Sequence, residues 1–506
     1  MLKKILIANR GEIAVRIIRA CREMGIESVA VYSDIDRKSL HVQAADEAVF
    51  IGDAPAVESY LNVESILRAV RETGAEAVHP GYGFLAENAM FSQRCEEEGV
   101  VFIGPGSKAM ELVGDKIRSR QVMRKAGIPI IPGMRSAEFA EDVFVREAES
   151  IGYPVMIKAS AGGGGKGMRI VRDPESLNSA LEAGRREARS AFGDDSVYLE
   201  KYIEEPRHIE FQVLADDHGH IVHVFERECS VQRRHQKIIE ESPSPALDHE
   251  LRSSMGETAI KVMRTAGYTN AGTVEFLLDK NRRFYFLEVN ARLQVEHPVT
   301  EMVSGLDLVH EQIRIASGEK LRFTQHELRS RGHALECRIY AEDPDNQFLP
   351  SPGKILYLKS PQGPGIRNDT GIFNGWEVPI HYDPILAKLI VWAEDREQAC
   401  RRMETALGEY VILGLKTCIG FLRDVIAHPQ FKAGRLSTDF LARHFDGWKS
   451  ADGGKERDMV LAAVAAVIES NARSRKSGGG LSQDASIDSP WIRLGKWEMG
   501  GGGSGL

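Results

Sequence analysis

Near the N-terminus, short apolar runs alternate with a segment of helical period. Lys4–Ala8 (KILIA) reads as a buried strand. In Gly11–Met24 the residues Ile13, Ile17, Ala20, Cys21 and Met24 fall on one helical face, and Glu27–Tyr32 (ESVAVY) is a second strand. Strand–helix–strand at this spacing predicts a parallel α/β unit. Ala77–Val78 end a further strand and lead into His79–Asn88 (HPGYGFLAEN), either a structural turn or a ligand loop at a strand C-terminus. The first turn, Asn9-Arg10-Gly11-Glu12, lacks GxGxxG, which rules out an NAD or FAD fingerprint there.

The pattern continues with a helix over Gly114–Ala126, with Lys116 in its first turn. Strands follow at Pro154–Lys158, Met168–Val171 and Val197–Ile203, and a hairpin joins His208–Leu214 to His220–Phe225. Val303–Ala316 is helical and Gly318 ends it. His333–Tyr340 opens a β-rich region in which Glu336, Arg338 and Tyr340 share a face. Strands run through Gly353–Lys359 and Ile385–Ala393, and Glu397–Tyr410 is a helix. From Ser450 the chain turns polar. Met459–Ser470 reads as a small helix, while Ser474–Asp488 and Gly500–Leu506 are low in complexity, as in a partly linker-like tail.

One stretch is chemically denser than the rest. From Leu287 to Glu296 the chain alternates with period two, so Glu288, Asn290, Arg292, Gln294 and Glu296 point one way and Leu287, Val289, Ala291, Leu293 and Val295 the other. Thr273–Leu278 (TVEFLL) precedes it across a turn at Asp279–Arg283. A hairpin folded about Asn281–Arg282 places Val274 opposite Val289, Glu275 opposite Glu288 and Phe276 opposite Leu287. Directly opposed carboxylates repel. A hard divalent cation removes that penalty, and Mg²⁺ is typically held by one or two carboxylates plus substrate phosphates. Glu275, Glu288 and Asn290 thus form a candidate Mg²⁺ or Mn²⁺–nucleotide platform. A register slipped by one residue would separate the two acids.

Composition narrows the class. The 506 residues, 42% hydrophobic and 27% charged, are those of a globular protein with room for about three domains. A net charge of -8 argues against a general nucleic-acid binder. The opening MLKKILIANRGEIAV does not read as a secretory signal, and no apolar stretch is long enough to cross a membrane. Cys21, Cys95, Cys229, Cys337, Cys400 and Cys418 lack CxxC spacing, as expected for reduced thiols in a cytoplasmic protein.

Phosphate chemistry is suggested by Ala159–Met168 (ASAGGGGKGM). Gly162–Gly165 allow backbone N–H groups to approach an anion, and Lys158 stands at the end of the preceding strand. GxxxxGK[ST] is missing, so this is no P-loop. Either a flexible linker or a hairpin closing over phosphates fits a glycine run. Glu200, Lys201 and Ile203 could clamp an adenine. Glu226–Glu241 gathers Arg227, Arg233, Arg234, His235 and Lys237, a set suited to neutralising phosphate.

Taken together, KILIANRGEIAVRIIRA, HPGYGFLAEN, KASAGGGGKGM, EKYIEEPRHIEFQV, ERECSVQRRHQKIIEE, FLEVNARLQVEHPVTE and ALECRIYAEDP occur in an order that resembles the biotin carboxylase component of biotin-dependent carboxylases of the acyl-CoA type, an ATP-grasp family, over about residues 1–445. The resemblance implies a fold that is α/β and in part α+β. It would comprise an N-terminal α/β domain (1–113), an ATP-grasp domain (114–317) with a glycine-rich lid at about 131–203, a C-terminal biotin carboxylase domain (318–446) and a tail (447–506). It also implies ATP-dependent carboxylation of biotin by bicarbonate through carboxyphosphate, as the first half-reaction of an acyl-CoA carboxylase.

Each matched residue then takes the family's role. Lys116, Lys158, Gly164, Gly165, Glu200, Lys201, Ile203, His208, Gln232 and His235 would contact ATP; Glu275, Glu288 and Asn290 would hold two Mg²⁺ or Mn²⁺ ions. Arg292, Gln294 and the Val295 backbone would bind bicarbonate, Glu296 would deprotonate it, and Lys237 would stabilise carboxyphosphate. Arg338 would stabilise the biotin anion in a pocket lined by Tyr82 and Gly83.

No Met-Lys-Met acceptor motif occurs, so biotin is expected on a separate carrier protein, with the carboxyltransferase on another chain. Ser489–Glu498 resembles the start of the domain that follows this region in acyl-CoA carboxylase α chains, which makes the tail a candidate docking segment. A homodimer is expected, with Arg19 and Glu23 as interface charges. Two other readings remain: another ATP-grasp ligase, of carbamoyl-phosphate or carboxylate–amine type, and a catalytically silent nucleotide-binding scaffold.

Overall fold

The computed structural model describes residues 1–134, 141–159, 168–192, 194–450 and 464–468. The first strands, β1 (Lys4–Ile7), β2 (Glu27–Ser33), β3 (Glu47–Gly52), β4 (Ala77–His79) and β5 (Val101–Phe102), make an all-parallel sheet in the order β3-β2-β1-β4-β5. Helix α1 (Gly11–Glu23) crosses between β1 and β2 and buries Ile13, Ile17, Ile18 and Cys21, as the 3.6-residue spacing requires. The loop after β4 lies at the C-terminal end of this sheet. Asn9, at the end of β1, ties it down, its amide donating to the carbonyls of Pro80 and Tyr82 at 2.7 Å each. Gly81 turns there with φ 62°, and a Cβ would lie 3.1 Å from side-chain atoms of Asn9 and Ile13.

A three-stranded antiparallel sheet follows: β6 (Val155–Ala159) flanked by β7 (Arg169–Val171) and β8 (Val197–Lys201). Its small core includes Phe144, Ile157, Leu181 and Leu199. The glycine run expected to cover phosphates, with Gly164 and Gly165, lies outside the described residues.

The largest element is an antiparallel sheet. It contains β9 (Arg207–Ala215), β10 (Ile221–Arg233), β11 (Gln236–Ser242), β12 (Asn270–Leu278), β13 (Phe284–Asn290), β14 (His333–Tyr340), β15 (Ile366–Thr370) and β16 (Ile385–Ala393), in the order β13-β12-β9-β10-β11-β14-β16-β15. β10 and β11 are joined by the two residues Arg234 and His235, with φ of 50° and 67°. Two positive φ values in a two-residue hairpin connection are the mark of a tight turn whose twist matches the strands.

Three sequence expectations change. The alternation after Asn290 is not strand: β13 ends there, Ala291–Glu296 is loop, and a helix begins at His297. Pro298 at the start of that helix supplies a fixed φ and needs no donor. The helix expected over Val303–Ala316 is two, His297–Ser304 and Leu308–Ala316. They are separated by Gly305 at φ 74° and by Asp307, whose side chain caps the second. Gly114–Ala126 is likewise broken, at Asp115, which accepts from the Arg118 N–H and starts the helix Lys116–Lys125.

All six cysteines are buried and free. Arg19 lies 3.7 Å from Asp369 and Glu23 3.3 Å from His310, so both expected interface charges have partners within the chain and remain about half exposed. Among the described residues no helix is long and apolar enough to cross a membrane. In the tail, residues 464–468 are helical; Ser474–Asp488 and Ser489–Glu498 lie outside the described residues.

Candidate active site

Period two on neighbouring antiparallel strands brings one side chain from each to a common face. Glu288 on β13 pairs in register with Glu275 on β12, Glu275 with Glu210 on β9, and Glu210 with Arg227 on β10. The opposed carboxylates expected from the hairpin are therefore present, as is the pairing of Val274 with Val289. The expected pairing of Phe276 with Leu287 is not: a bulge between Glu275 and Phe276 puts Phe276 opposite Phe286.

The acids are held by protein cations. Lys237 on β11 donates to Glu275 at 2.8 Å, to Glu296 at 2.7 Å and to Glu210. Burial alone would lower the Lys237 pKa, but Glu210, Glu275 and Glu296 raise it well above the ordinary lysine value. Lys116 lies 3.1 Å from Glu288. The Asn290 amide donates to Glu275 at 2.7 Å. Gln232 donates to His208 Nδ1 at 2.9 Å, which leaves the ring proton on Nε2, 3.0 Å from Glu275. Burial raises the Glu275 carboxyl, yet Lys237 and His208 outweigh it and hold the pKa far below the carboxylate range.

The Ala291–Glu296 loop does by turns what the expected strand would have done by alternation. Arg292 spans Glu87 at 3.1 Å, Gln294 Oε1 at 3.2 Å and Asn290 Oδ1 at 3.4 Å. The Val295 carbonyl accepts from Lys388, a fully buried lysine on β16, at 3.0 Å. Glu296 is fully buried at the start of its helix, and Arg338 on β14 donates to it at 2.9 Å, opposite the Lys237 contact. Burial pushes the Glu296 carboxyl up; Lys237, Arg338 and Arg227 pull it well below its usual range, so it is ionised at neutral pH.

At the three-stranded sheet, Glu200 lies 2.7 Å from Lys158 and also meets Arg120. Burial, Arg120 and Lys116 bring the Lys158 pKa down to about 8. Lys201 donates its ammonium to the carbonyls of Gly152 and Tyr153, so its side chain braces the β6 entry. Ile203, half-buried, follows β8, and His235 is exposed at the β10–β11 turn. Tyr82 packs with its ring 5.7 Å from the Lys388 ammonium, and Gly83 turns beside it with φ 72°.

The basic segment of β10–β11 divides by position. Lys237 faces the acids. Arg233 is engaged in a two-pronged pair with Glu342, both contacts at 2.7 Å, and Arg227 is buried against Glu210, Gln212, Thr273 and Thr300. Sequence reasoning missed Glu210, Glu87, Arg120 and Lys388, and it counted Arg227 among cations for phosphate, whereas that side chain is buried against Glu210. The available signal was an ionisable residue inside an apolar strand run, as in HIEFQVL for Glu210 and ILAKLIVWA for Lys388.

The set can hold a hard cation on the oxygens of Glu275, Glu288 and Asn290, beside a buried ionised base and an arginine fork for a planar anion.

Comparison with known proteins agrees. Residues 1–110 match the family "Biotin carboxylase, N-terminal domain", 115–324 "Carbamoyl-phosphate synthase L chain, ATP binding domain", and 336–443 "Biotin carboxylase C-terminal domain". The biotin carboxylase of Nostoc sp. is 54% identical over 438 residues, covering 87% of this chain and 98% of that one. The alpha chain of the mitochondrial methylcrotonoyl-CoA carboxylase of Rattus norvegicus is 51% identical over 87% of this chain and 62% of its own length. Among solved structures, the biotin carboxylase domain dimer of Hydrogenobacter thermophilus 2-oxoglutarate carboxylase, in complex with MgADP, ADP and bicarbonate, superposes with a TM-score of 0.84 at 49% identity, covering 89% of this chain and 99% of that chain. The biotin carboxylase component of a pyruvate carboxylase superposes with a TM-score of 0.79 at 48% identity, covering 89% of this chain and 100% of that chain. With this geometry and these relatives, the chain belongs to the biotin carboxylase family and is an ATP-dependent ligase of the ATP-grasp group.

Proposed function

We propose that this chain uses ATP and bicarbonate to carboxylate biotin presented by a separate carrier protein, through carboxyphosphate, as the first half-reaction of an acyl-CoA carboxylase. The observation that carries this reading is the convergence of Lys237 and Arg338 on the buried, ionised Glu296, beside the Glu275–Glu288 pair.

Bicarbonate is a poor nucleophile until its hydroxyl proton leaves, and Glu296 is in the form that accepts it. Arg292, Gln294 and the Val295 backbone orient the anion. Its oxygen then attacks the γ-phosphorus of ATP, and ADP leaves. Lys237 lies where charge builds up on the transferred phosphoryl group, and Lys116, Lys158, His208, Gln232 and His235 face the nucleotide. A divalent cation on Glu275, Glu288 and Asn290 would screen the phosphate oxygens. Arg338 holds the biotin ring as negative charge develops on its urea oxygen, with Tyr82 and Gly83 beside it. Glu200, Lys201, Ile203, Gly164 and Gly165 complete the nucleotide side. The chain is read as three regions, 1–113, 114–317 and 318–446, acting as a homodimer alongside carrier and carboxyltransferase subunits.

Free biotin together with bicarbonate should stimulate Mg²⁺-dependent ADP release. Stimulation by ammonia or an amine instead would overturn the reading in favour of another ligase. A second test uses pH. Lys158 loses its charge near pH 8 in the ATP-free enzyme, so kcat/KM for ATP should fall above that pH, because this ratio reports ionisations of the free enzyme. In Lys158→Arg the fall should be absent, since guanidinium stays charged.

A further inference from the structure

Behind Arg338 lies a second pair of opposed carboxylates. Glu240 on β11 and Glu336 on β14 are register partners, and both are completely buried. Glu240 Oε1 accepts from Arg338 Nε at 2.6 Å. The other Glu240 oxygen and both Glu336 oxygens have no hydrogen-bond partner among the described residues.

The nearby cations are committed elsewhere. Arg338 is divided between Glu240 and Glu296. Lys237, also on β11, serves Glu210, Glu275 and Glu296. Lys388 on β16 lies 3.3 Å from Glu12 and donates to the Val295 carbonyl. Among the described residues Glu336 therefore has no cation within ion-pair distance, Lys388 acting on it only from further off, and two buried like charges facing each other across adjacent strands are strongly unfavourable.

We propose that Glu240 and Glu336 share one proton, carried by Glu336, and that this neutral–anionic pair is a positioning device that fixes Arg338 against Glu296. As a neutral acid, Glu336 can donate to the free Glu240 oxygen across the strand pair; Glu240 stays ionised and holds the guanidinium from behind. Neither residue reaches substrate. The consequence for biotin rests on the role given to Arg338 above, whereas the shared proton does not.

Two variants and an infrared measurement test this. Infrared difference spectra should contain the C=O stretch of a protonated buried carboxylic acid, and Glu336→Gln should delete it. Wild-type protein without that band overturns the proposal. In kinetics, Glu336→Leu, which removes the donor, should raise KM for biotin about tenfold while shifting KM for ATP less than twofold. Glu336→Gln, which keeps a donor, should recover most of the loss. A Leu variant that equals the Gln variant overturns the positioning role. If the Leu variant does not fold, Glu240→Gln replaces it, with the same selective rise in KM for biotin expected. A band that behaves as stated while KM for biotin never moves would overturn the role of Arg338 in binding biotin, and with it the positioning claim.

Discussion

Glu296→Gln is expected to lower kcat for bicarbonate-dependent ADP release by about a hundredfold to ten-thousandfold, the usual contribution of a positioned general base. The amide keeps the size of the side chain and can still meet one of its neighbours, but it cannot take the bicarbonate proton. Lys237 at 2.7 Å and Arg338 at 2.9 Å would then face a neutral group. Because Lys237 retains Glu210 and Glu275, and Arg338 retains Glu240, the fold should hold. Steady-state kinetics at saturating ATP and biotin, with urea unfolding as a control, reads the effect. A variant with more than a tenth of wild-type turnover would remove Glu296 from the role of base.

The second large effect falls on stability. Lys237→Met leaves Glu210, Glu275 and Glu296, all buried, without the one cation they have in common among the described residues. Removing one member of a buried ion pair costs about 3–5 kcal/mol, because the remaining charge stays desolvated and unmatched. The wild-type carboxyls of Glu275 and Glu296 are held below their ordinary range, with Lys237 the largest of the charges that oppose burial. Those low pKa values stabilise the fold above the ordinary carboxylate pKa, and the gain is lost as pH falls through them. In the variant burial is opposed only by His208 at Glu275 and by Arg338 and Arg227 at Glu296, so these carboxyls move up from their wild-type values, and the penalty for ionising them is greatest at neutral pH and shrinks in mild acid. The gap between the two proteins in urea midpoint should therefore narrow as the buffer is moved from pH 8 towards pH 5. A gap independent of pH would mean that Lys237 acts through packing alone.

Much of this site was legible because it sits where periodicity is strict. The β12–β13 hairpin has a short turn, so its register could be counted outward from Asn281–Arg282, and the Glu275–Glu288 pairing followed. Nearer the turn the count was one residue off, with Phe276 opposite Phe286, and the bulge brings it into step at Glu275; a bulge leaves the local pattern unchanged and has no composition of its own. The stretch after Asn290 was misread for a related reason. Ala291, Leu293, Gln294 and Glu296 are all buried, and a loop packed on both sides alternates by accident as well as a strand does by geometry. The groups nevertheless converge, because Arg292 reaches Gln294 and Asn290 from the loop. The family resemblance marked Lys237 and Arg338 but not what lies behind them. Glu240, Glu336 and Lys388 come from strands far apart in sequence, and only the sheet order makes them neighbours.

That sheet order has a mechanical side. β11 and β14 pair directly, Ile239 with Cys337 and Glu240 with Glu336, so one backbone ladder links the residues proposed to meet ATP with those proposed to meet biotin. Lys237 and Arg338 stand just beyond the last of these pairs, so the ladder limits how far they can drift apart. An enzyme that hands an unstable intermediate from one substrate to the next gains from this arrangement: donor and acceptor stations keep a fixed spacing through every turnover. The three-stranded sheet that carries Lys158 and Glu200 is hydrogen-bonded separately from that ladder, so it can shift about the nucleotide proposed there without breaking a rung.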